Sequence, residues 1–479
     1  MKKIVPINVD ILQPFPEEQK DVVQQLFENV FSDFSKKIIV LDDDPTGIQT
    51  VHDVSVYTEW TKKAITSGFK EEARMFFILT NSRGMSSEQT AKVHAEIGRN
   101  IASVANELKQ KFVLISRGDS TLRGHYPLET EILRKTIESQ MEYRFDGEII
   151  YPFFKEGGRY TIEGIHYVRE GEQLTPAGLT EFARDKTFGY SSSDLAEWCE
   201  EKTQGKYLAK DVIRISLDEL RTEKIDTIEK KLLEAHDFNK IIVDSVDEMD
   251  VKIFMTAYLR ALNAGKNFMF RSAAAVPKAL GNIRDKAFLT REELVADDSQ
   301  NGGLVIIGSH VNKTTMQLNE LKNSKLPIDY IEFHVNKISE DGALEEERKQ
   351  VLLLAEQCIK KGRTAVVYTS RAPLKINTTN KDEILAASVK ISDAVTGIVS
   401  QLNVKPAFLV AKGGITSSDV GTKGLSVKKA RVMGQICPGI PVWMTGQESR
   451  FPGMPYVIFP GNVGETETLK EVVETLIKK

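Results

Sequence analysis

Short, almost wholly apolar runs, separated by stretches with helical periodicity, recur along this chain and limit what it can fold into. Runs such as KIIVL (37–41), MFFILT (75–80) and FVLIS (112–116) lack the alternation of a half-exposed strand. Strands that are buried on both faces, in a parallel sheet covered by helices, have this composition. Segments 87–109 and 126–140 have the periodicity of covering helices. The pattern predicts an α/β fold with mostly parallel sheets flanked by helices.

The length of the chain indicates more than one domain. A single hydrophobic core rarely serves more than about 250–300 residues, and this chain has 479. Apolar runs of the same kind continue through the second half, beyond a polar stretch at 284–303. We therefore predict two domains, at residues 1–290 and 300–479, each with its own sheet.

Composition narrows the choice of partners and of compartment. The net charge of −4 gives no electrostatic reason to expect nucleic acid or an anionic membrane as a partner. The cysteines Cys199, Cys358 and Cys437 are too far apart for a zinc motif or a disulfide framework. No apolar run approaches the roughly 18 residues of a membrane-spanning helix, and the N-terminus lacks the apolar core of a signal peptide. We expect a cytoplasmic protein with small-molecule partners, and the sequence is compatible with a homo-oligomer as well as a monomer.

The residues that follow the predicted strands differ between the two halves. Open parallel sheets bind ligands beyond the carboxyl ends of their strands. In the first half these positions are charged or amide-bearing: 42–44, 81–83 and 117–119. In the second half they are rich in glycine and hydroxyl groups: 308–309, 369–370, 412–414 and 460–462. The contrast predicts that the first domain holds a polar substrate through side chains and the second binds phosphates through backbone N–H groups.

Three adjacent acids, Asp42, Asp43 and Asp44, follow the first of these strands. Adjacent carboxylates repel one another, so folding alone gives no reason for them. They could supply a general base for a hydroxyl group, ligands for Mg²⁺, or both. The structural alternative is a solvated turn built on Pro45 and Gly47. We predict that Asp43 and Asp44 are catalytic, with one of them acting as the base.

Arginines cluster after two other strands. The segment SRGDSTLRGHYP (116–127) places Arg117 and Arg123 close to Asp119 and Ser120. A guanidinium group binds a carboxylate with two parallel hydrogen bonds, so Arg83, Arg117 and Arg123 predict a carboxylate clamp. Surface ion pairing is the alternative for the arginines, and helix capping is the alternative for Asp119 and Ser120.

Two further segments carry candidates. GGRYTIEGIHY (157–167) adds Arg159 to the substrate-binding group, while we expect its His166 to be structural. KGGITSSD (412–419) predicts a strand, a glycine turn and a helix capped by a hydroxyl side chain. Gly413 and Gly414 would let the backbone approach a phosphate, although a plain tight turn is the alternative. No segment matches the Walker pattern, which excludes a P-loop kinase at the motif level.

Taken in order, these segments resemble the four-carbon acid sugar kinase family, whose members phosphorylate threonate, erythronate and related tetronates. The resemblance covers nearly the whole chain. It rests on the following motifs: Asp43–Gly47, Thr80–Arg83, Asp119–Gly124, Gly158-Arg159, Gly164–Tyr167, TEFARD (180–185), Gly308-Ser309, Gly413–Ser417 and Gly461–Gly464. The chain departs from the family pattern at Ile415, where an acid is usual, at Phe459-Pro460, where Lys-Ser is usual, and at Arg271–Ala274.

The resemblance implies that the first domain binds the sugar acid and the second binds ATP. On the substrate side it implies Asp43, Asp44, Arg83, Arg117, Asp119 and Ser120, to which the residue patterns add Arg123 and Arg159. On the nucleotide side it implies Ser309, Gly413, Gly414, Thr416 and Gly461, to which position at a strand end or turn adds Ser370 and Gly464. Because Glu465 and Glu467 follow the last loop and would repel bare phosphates, we expect Mg²⁺ to accompany ATP.

The expected function is therefore ATP-dependent phosphorylation of a sugar-acid hydroxyl group. Two alternatives remain at this point. The run IIVLDDDPT also fits haloacid dehalogenase-like phosphatases, with Asp42 as nucleophile and Asp44 as acid. A non-catalytic sugar-acid sensor would explain the altered motifs of the second half.

Overall fold

The computed structural model describes residues 4–222, 224–296, 299–340, 342–371, 381–461 and 463–477. The chain forms two compact α/β units, which confirms the predicted fold class. Unit 1 comprises Met1–Gly47 and Glu59–Arg284, and unit 2 comprises Ile48–Thr58 and Asp285–Lys479. Residues 48–58, inside the predicted N-terminal domain, thus belong to unit 2. Within the described ranges, no helix has both the length and the apolar character needed to cross a membrane.

The strands vary in length from two to nine residues. In chain order they are β1 (Ile7–Asn8), β2 (Lys37–Asp42), β3 (Ser55–Tyr57), β4 (Met75–Leu79), β5 (Phe112–Arg117), β6 (Gly147–Tyr151), β7 (Arg159–Ile162), β8 (Ile165–Glu170), β9 (Gln173–Pro176), β10 (Ile213–Ile215), β11 (Asn239–Val243), β12 (Phe268–Ser272), β13 (Leu304–Ile307), β14 (Ile328–Phe333), β15 (Thr364–Thr369), β16 (Leu409–Lys412), β17 (Lys429–Cys437), β18 (Ile440–Thr445) and β19 (Pro455–Phe459).

Helices lie between most of these strands, as the sequence pattern predicts. They are α1 (Glu17–Phe31), α2 (Lys62–Lys70), α3 (Ser87–Leu108), α4 (Leu128–Gln140), α5 (Leu195–Lys202), α6 (Leu217–Arg221), α7 (Ile225–Glu234), α8 (Glu248–Asn263), α9 (Ala275–Leu280), α10 (Arg291–Leu294), α11 (Asn312–Lys322), α12 (Ala343–Lys360), α13 (Lys381–Ser400), α14 (Gly414–Asp419) and α15 (Thr468–Leu476).

The main sheet of unit 1 has the strand order β10-β11-β6-β12-β5-β2-β4, and every pair in it is parallel. All residues of β2, β4 and β5 are buried, as their apolar runs predict. The chain leaves β2 to form β4 on one side and returns to form β5 on the other. Such a reversal opens a crevice at the carboxyl ends of the strands. There Asp42 pairs in register with Arg117 of β5 and Leu79 of β4.

A small antiparallel sheet in unit 1, with the order β1-β9-β8-β7, was absent from the sequence prediction. Its strands are short, and β9 reads QLTP, which has no apolar run to detect. An isolated bridge between Thr161 and Ser245 ties β7 to the segment after β11. The small sheet matters for the site because β7 begins at Arg159.

The sheet of unit 2 has the order β3-β17-β18-β19-β16-β13-β15-β14. Strands β14, β15, β13, β16 and β19 are parallel, and β3, β17 and β18 extend the sheet antiparallel. Strand β17 was not predicted because its buried and accessible residues alternate, unlike the wholly apolar runs. The strand order reverses at β13, which lies between β15 and β16. The last helix, α15, packs through an apolar stripe, since its residues Leu469, Val472, Val473 and Leu476 are buried.

Candidate functional site

The three acids after β2 do not form a solvated turn. The side chains of Asp42 and Asp43 are each only 2% exposed, whereas that of Asp44 is 21% exposed. Burying two carboxyl groups is costly unless they are paired or protonated. The alternative of a solvated turn is therefore wrong for this segment. Of the three acids, Asp44 has the most exposed side chain.

Two arginines share these three carboxyl groups. Arg83 binds Asp43 with both arms of its fork, with Nε 3.1 Å from Oδ2 and Nη2 2.6 Å from Oδ1. Its Nη1 lies 2.5 Å from Asp44 Oδ2. The Nη1 of Arg117 lies 3.2 Å from Asp42 Oδ1, 3.8 Å from Asp43 Oδ1 and 4.0 Å from Asp44 Oδ1. The predicted residues therefore meet, but Arg83 and Arg117 hold the chain's own acids.

The protonation of the three acids follows from burial and from these arginines. Burial raises the pKa of Asp42 to about 8 against the attraction of Arg117, and burial also raises the pKa of Asp43. Burial opposes ionisation of Asp44 as well, but Arg83, Arg117 and hydrogen bonds from Thr46 together lower the pKa of Asp44. Near neutral pH, Asp44 is thus an ionised carboxylate that can accept a proton.

The loop after β5 holds a second acidic group. Asp119 accepts a hydrogen bond of 2.8 Å from Arg123 Nε, and the carbonyl of Ser120 lies 2.8 Å from His166 Nε2. Although burial opposes ionisation, Arg83 and Arg123 hold the pKa of Asp119 well below its usual range. Helix α4 begins only at Leu128, so the capping alternative for Asp119 and Ser120 is wrong.

His166 has the structural role that the sequence indicates. Its Nδ1 lies 3.0 Å from the Thr161 hydroxyl group, and the ring is buried. Burial lowers the pKa of His166 to about 4. A neutral, buried imidazole with both nitrogens engaged is poorly placed to act as a base on a substrate.

Arg271 and Glu129, to which the sequence analysis gave no role in the site, shape this loop. Arg271 donates to Glu129 Oε2 at 3.0 Å and to the carbonyl of Arg123 at 3.2 Å, and both side chains are buried. A Cβ atom on Gly118 would lie 2.3 Å from the Arg271 guanidinium group, and one on Gly124 would lie 2.7 Å from it. The glycines of the motif are therefore required by a distant arginine. The signal in the sequence was the charged Arg271 at the end of an otherwise apolar run, FMF.

Arg159 differs from the other predicted arginines. Its guanidinium carbon lies 5.6 Å from the centre of the Phe182 ring, and that of Arg123 lies 4.9 Å from the same ring. The TEFARD segment supplies Phe182, so its place in the site is now visible. The Arg159 Nε atom is buried without a hydrogen-bond partner, and no described carboxylate forms an ion pair with this side chain. Burial lowers the pKa of Arg159 against the opposing attraction of Asp119.

In unit 2, the loops after β13, β16 and β19 converge. A Cβ atom on Gly308 would lie 2.2 Å from Thr416 Oγ1, and one on Gly461 would lie 2.9 Å from Ser309 Oγ. Gly413 has a φ of +131°, which side chains rarely adopt, and its Cβ position is 3.0 Å from Thr416 Oγ1. The predicted residues thus form one compact cluster of glycines and hydroxyl groups, too tight for larger side chains.

Gly414 and the beginning of α14 complete this cluster. A Cβ atom on Gly414 would meet nothing within 4 Å, so this residue faces open space. The N-cap of α14 is Gly413, and no side chain caps the helix, so the predicted hydroxyl cap is wrong. Backbone groups therefore remain unobstructed at this turn, as phosphate binding requires.

Two predicted nucleotide residues have local roles. The hydroxyl group of Ser370 lies 3.3 Å from the carbonyl of Phe333, and Ser370 is buried. Gly464 has a φ of +83° and packs against Thr468 at the beginning of α15. Both residues therefore have structural contacts within unit 2. Asn462, which belongs to the same motif as Gly464, lies outside the described residues.

Nucleotide phosphates fit the unit 2 cluster. Phosphates accept hydrogen bonds from backbone N–H groups and from hydroxyl groups, and the cluster offers hydroxyl side chains beside a glycine turn that faces open space. For a metal ion the outcome differs. Among the residues that the structure describes, no group of three or more His, Cys, Asp or Glu side chains could hold one. Mg²⁺ commonly needs only one or two carboxylates when phosphates supply its other ligands. The described chain is therefore compatible with Mg²⁺ carried by a nucleotide rather than with a dedicated metal centre.

Comparisons with known proteins match the two halves of the chain to two different domain families. Residues 38–280 match the sugar-binding N-terminal domain family, and residues 304–469 match the nucleotide-binding C-terminal domain family. A Haemophilus influenzae protein of the DUF1537 family superposes with a TM-score of 0.61 at 14% identity, covering 91% of this chain and 100% of that chain. The supposed tRNA synthase of Salmonella typhimurium LT2 gives a TM-score of 0.64 at 14% identity, with 91% and 98% covered.

At such identities the structural likeness shows the fold alone. No curated protein matches the chain. The match to the sugar-binding domain spans about half of the chain, and the nucleotide-binding match covers most of the remainder. This protein therefore belongs to the family that joins a sugar-binding N-terminal domain to a nucleotide-binding C-terminal domain, the four-carbon acid sugar kinase-like family that its motifs predicted.

Proposed function

We propose that this protein is a kinase that transfers the γ-phosphoryl group of ATP to a hydroxyl group of a four-carbon or similar sugar acid. The observation that carries this proposal is the Asp44 carboxylate. It is ionised, partly exposed and held by Arg83 at the strand-order reversal of the sugar-binding unit. The match of unit 2 to a nucleotide-binding domain supports the other part of the proposal, a nucleotide as the phosphoryl donor.

The chemistry asked of the protein is modest. Phosphoryl transfer needs positioning and charge neutralisation more than covalent help, and ATP supplies the phosphoryl group. Asp44 accepts the proton of the sugar hydroxyl group as that oxygen forms its bond to phosphorus and the bond to the ADP leaving group breaks. Asp43 binds Arg83 with two hydrogen bonds and so orients the guanidinium group that holds Asp44. In this proposal Asp43 is a positioning residue, and Asp44 is the general base.

The substrate carboxylate is best matched by Arg159. Arg83, Arg117 and Arg123 are already paired with acids of the chain. Arg159 is half-buried, lacks such an acid among the described residues and keeps a buried Nε without a partner. A carboxylate placed there gains charge-assisted hydrogen bonds and compensates the buried charge. We therefore transfer the predicted role of clamp from the first three arginines to Arg159.

Arg159→Lys is expected to weaken sugar-acid binding by about 10- to 100-fold, because the planar fork is lost while the charge stays. The affinity for ATP should not change. Titration calorimetry with the sugar acid and with ATP measures both affinities, and Arg144→Lys, an exposed arginine of unit 1, serves as control. If Arg123→Lys alone loses affinity, the clamp is Arg123 and the assignment to Arg159 is wrong.

The phosphatase alternative is disfavoured by the state of Asp42. The nucleophile of that mechanism must be an ionised, accessible carboxylate. Asp42 is 2% exposed, burial raises its pKa to about 8, and its carboxyl group lies against Gly47, where a Cβ atom would be 1.9 Å from Oδ2. A non-catalytic sensor would not need Asp44 as a base, so an experiment must distinguish the sensor from the kinase.

A coupled assay with ATP, Mg²⁺ and a panel of four-carbon and branched sugar acids tests the proposal. The kinase produces ADP only when a sugar acid is present. A phosphatase would instead release phosphate from phosphoesters without ATP, and a sensor would do neither. Thermal unfolding identifies acids that bind, because a ligand at 100 times its dissociation constant stabilises by about 2.7 kcal/mol. A sugar acid that binds without supporting ADP formation would contradict the kinase proposal.

A further inference from the structure

Lys412 is a buried lysine that pairs with no acid among the residues that the structure describes. It ends β16 with 0% exposure, directly before the Gly413 turn. Its Nζ donates to the carbonyls of Pro460 at 2.9 Å and Gly461 at 3.5 Å, and it lies 3.8 Å from the centre of the Phe459 ring. Among the described residues no carboxylate pairs with this ammonium group. Burial of a charge without a counter-ion is costly, so its retention needs an explanation.

Arg371 is a second cation of the same kind. Its Nη1 donates to the carbonyl of Ser309 at 2.7 Å, and its Nε and Nη2 donate to the hydroxyl group of Thr315 at 3.2 and 2.8 Å. All of these acceptors are neutral, and within the described part of the chain no carboxylate forms an ion pair with Arg371. Burial lowers the pKa of Arg371.

Both cations reach the same cluster. Lys412 contacts the backbone of Gly461, and Arg371 contacts the backbone of Ser309. Thr314 joins these two positions, since its hydroxyl group lies 3.1 Å from Ser309 Oγ and 3.0 Å from the Gly461 carbonyl. The glycine and hydroxyl cluster of unit 2 is thus flanked by two basic side chains that form no ion pair with a carboxylate of the described residues.

Other nearby groups reinforce this positive field. Burial, and then the repulsion of Lys313, lowers the pKa of Lys412 to about 7. Burial, and then the repulsion of Arg371, lowers the pKa of His310. The repulsive contributions show that Lys313 lies near Lys412 and that Arg371 lies near His310, so basic groups adjoin one another at this cluster, and a bound polyanion would relieve their repulsion.

We infer that Lys412 and Arg371 bind the phosphate chain of the nucleotide in unit 2. Lys412 approaches from the side of Gly461, and Arg371 approaches from the side of Ser309. A lysine ammonium group neutralises phosphate as a point charge, and an arginine fork binds two of its oxygens. The inference rests on the proposed function in taking ATP as the nucleotide, and it supplies the phosphate-binding cations that a chain without a Walker lysine must place elsewhere.

Binding of ATP, adenosine and tripolyphosphate to the full chain tests the inference. The variants are Lys412→Met and Arg371→Met, with Lys322→Met as matched control, because the Lys322 ammonium group lies over the Tyr368 ring in the same unit. Each of the first two should weaken ATP and tripolyphosphate binding at least about ten-fold, which is the loss of one charge-assisted hydrogen bond. Adenosine, which has no phosphate, should bind all four proteins equally.

Three outcomes would overturn the inference. The first is ATP affinity unchanged in both variants, and the second is an equal loss of ATP and adenosine binding, which would mark a structural role. The third is a wild-type protein that binds neither ATP nor tripolyphosphate. Should Lys412→Met fail to fold, Lys412→Arg keeps the charge and should retain more ATP affinity than Arg371→Met.

These measurements separate this inference from the kinase proposal, because no sugar acid is present. A wild-type protein that binds ATP through these two cations but never forms ADP would overturn the kinase proposal alone. If the protein is an active kinase and its ATP affinity is unchanged by both substitutions, only the inference is overturned.

Discussion

Asp44→Asn is expected to lower kcat for sugar-acid phosphorylation by about 10²–10⁴-fold, with a much smaller change in KM. The amide keeps the size of the side chain but cannot accept the proton of the attacking hydroxyl group. Because the arginines lower the pKa of Asp44, loss of activity through its protonation should begin only below the usual range of aspartate. Steady-state kinetics as a function of pH measures both effects.

Asp42→Asn is the matched control for this prediction. Burial raises the pKa of Asp42 to about 8, so its carboxyl group is largely neutral near pH 7 and an amide is a close substitute. We expect near-normal turnover, whereas a phosphatase with Asp42 as nucleophile would lose all activity. Normal turnover in Asp44→Asn together with a large loss in Asp43→Asn would assign the base to Asp43. If both Asn variants turn over normally, neither aspartate is the base.

Gly414→Val is expected to abolish detectable ATP binding while sugar-acid binding stays intact. A Cβ atom on Gly414 would meet nothing within 4 Å, and its φ lies outside the left-handed region. The backbone therefore accepts a Cβ atom at this position, and in the proposed placement of the nucleotide the larger side chain would crowd the phosphate chain. Titration of the variant with ATP and with the sugar acid measures the two affinities, and thermal unfolding shows that the fold is kept.

Neighbouring glycines show why position 414 is the informative one. Substitution of Gly413 strains the backbone itself, because its φ is +131° and its Cβ position is 3.0 Å from Thr416 Oγ1. Gly84 in unit 1 has the same open Cβ position as Gly414, so Gly84→Val is a suitable control and should bind ATP normally. Wild-type ATP affinity in Gly414→Val would show that the nucleotide does not use this turn.

Periodicity was enough to predict the α/β class and the strands that lead into the sites. Strands β2, β4 and β5 are wholly buried, and the apolar runs at their centres are typical of such positions. Because parallel strands end at one edge of a sheet, the residues after them were expected to meet, as Asp43, Asp44 and Arg83 do. Structure whose signal is alternating or short, such as β17 and the sheet containing β7, escaped prediction.

Local sequence could not assign roles within the charged groups, because burial and pairing depend on distant residues. Asp42 and Asp44, two positions apart, differ in exposure and in the direction of their pKa shifts, because burial outweighs the arginines at Asp42, whereas the arginines and Thr46 outweigh burial at Asp44. Arg117 and Arg159 look alike in sequence, yet Arg117 is paired with acids, whereas Arg159 forms no ion pair with the acids that the structure describes. The sequence places Lys412 beside a glycine turn, and only the tertiary structure shows that its side chain is buried next to Gly461. Motifs determine which residues gather at an edge, whereas tertiary packing determines which charges stay uncompensated and so can bind a ligand.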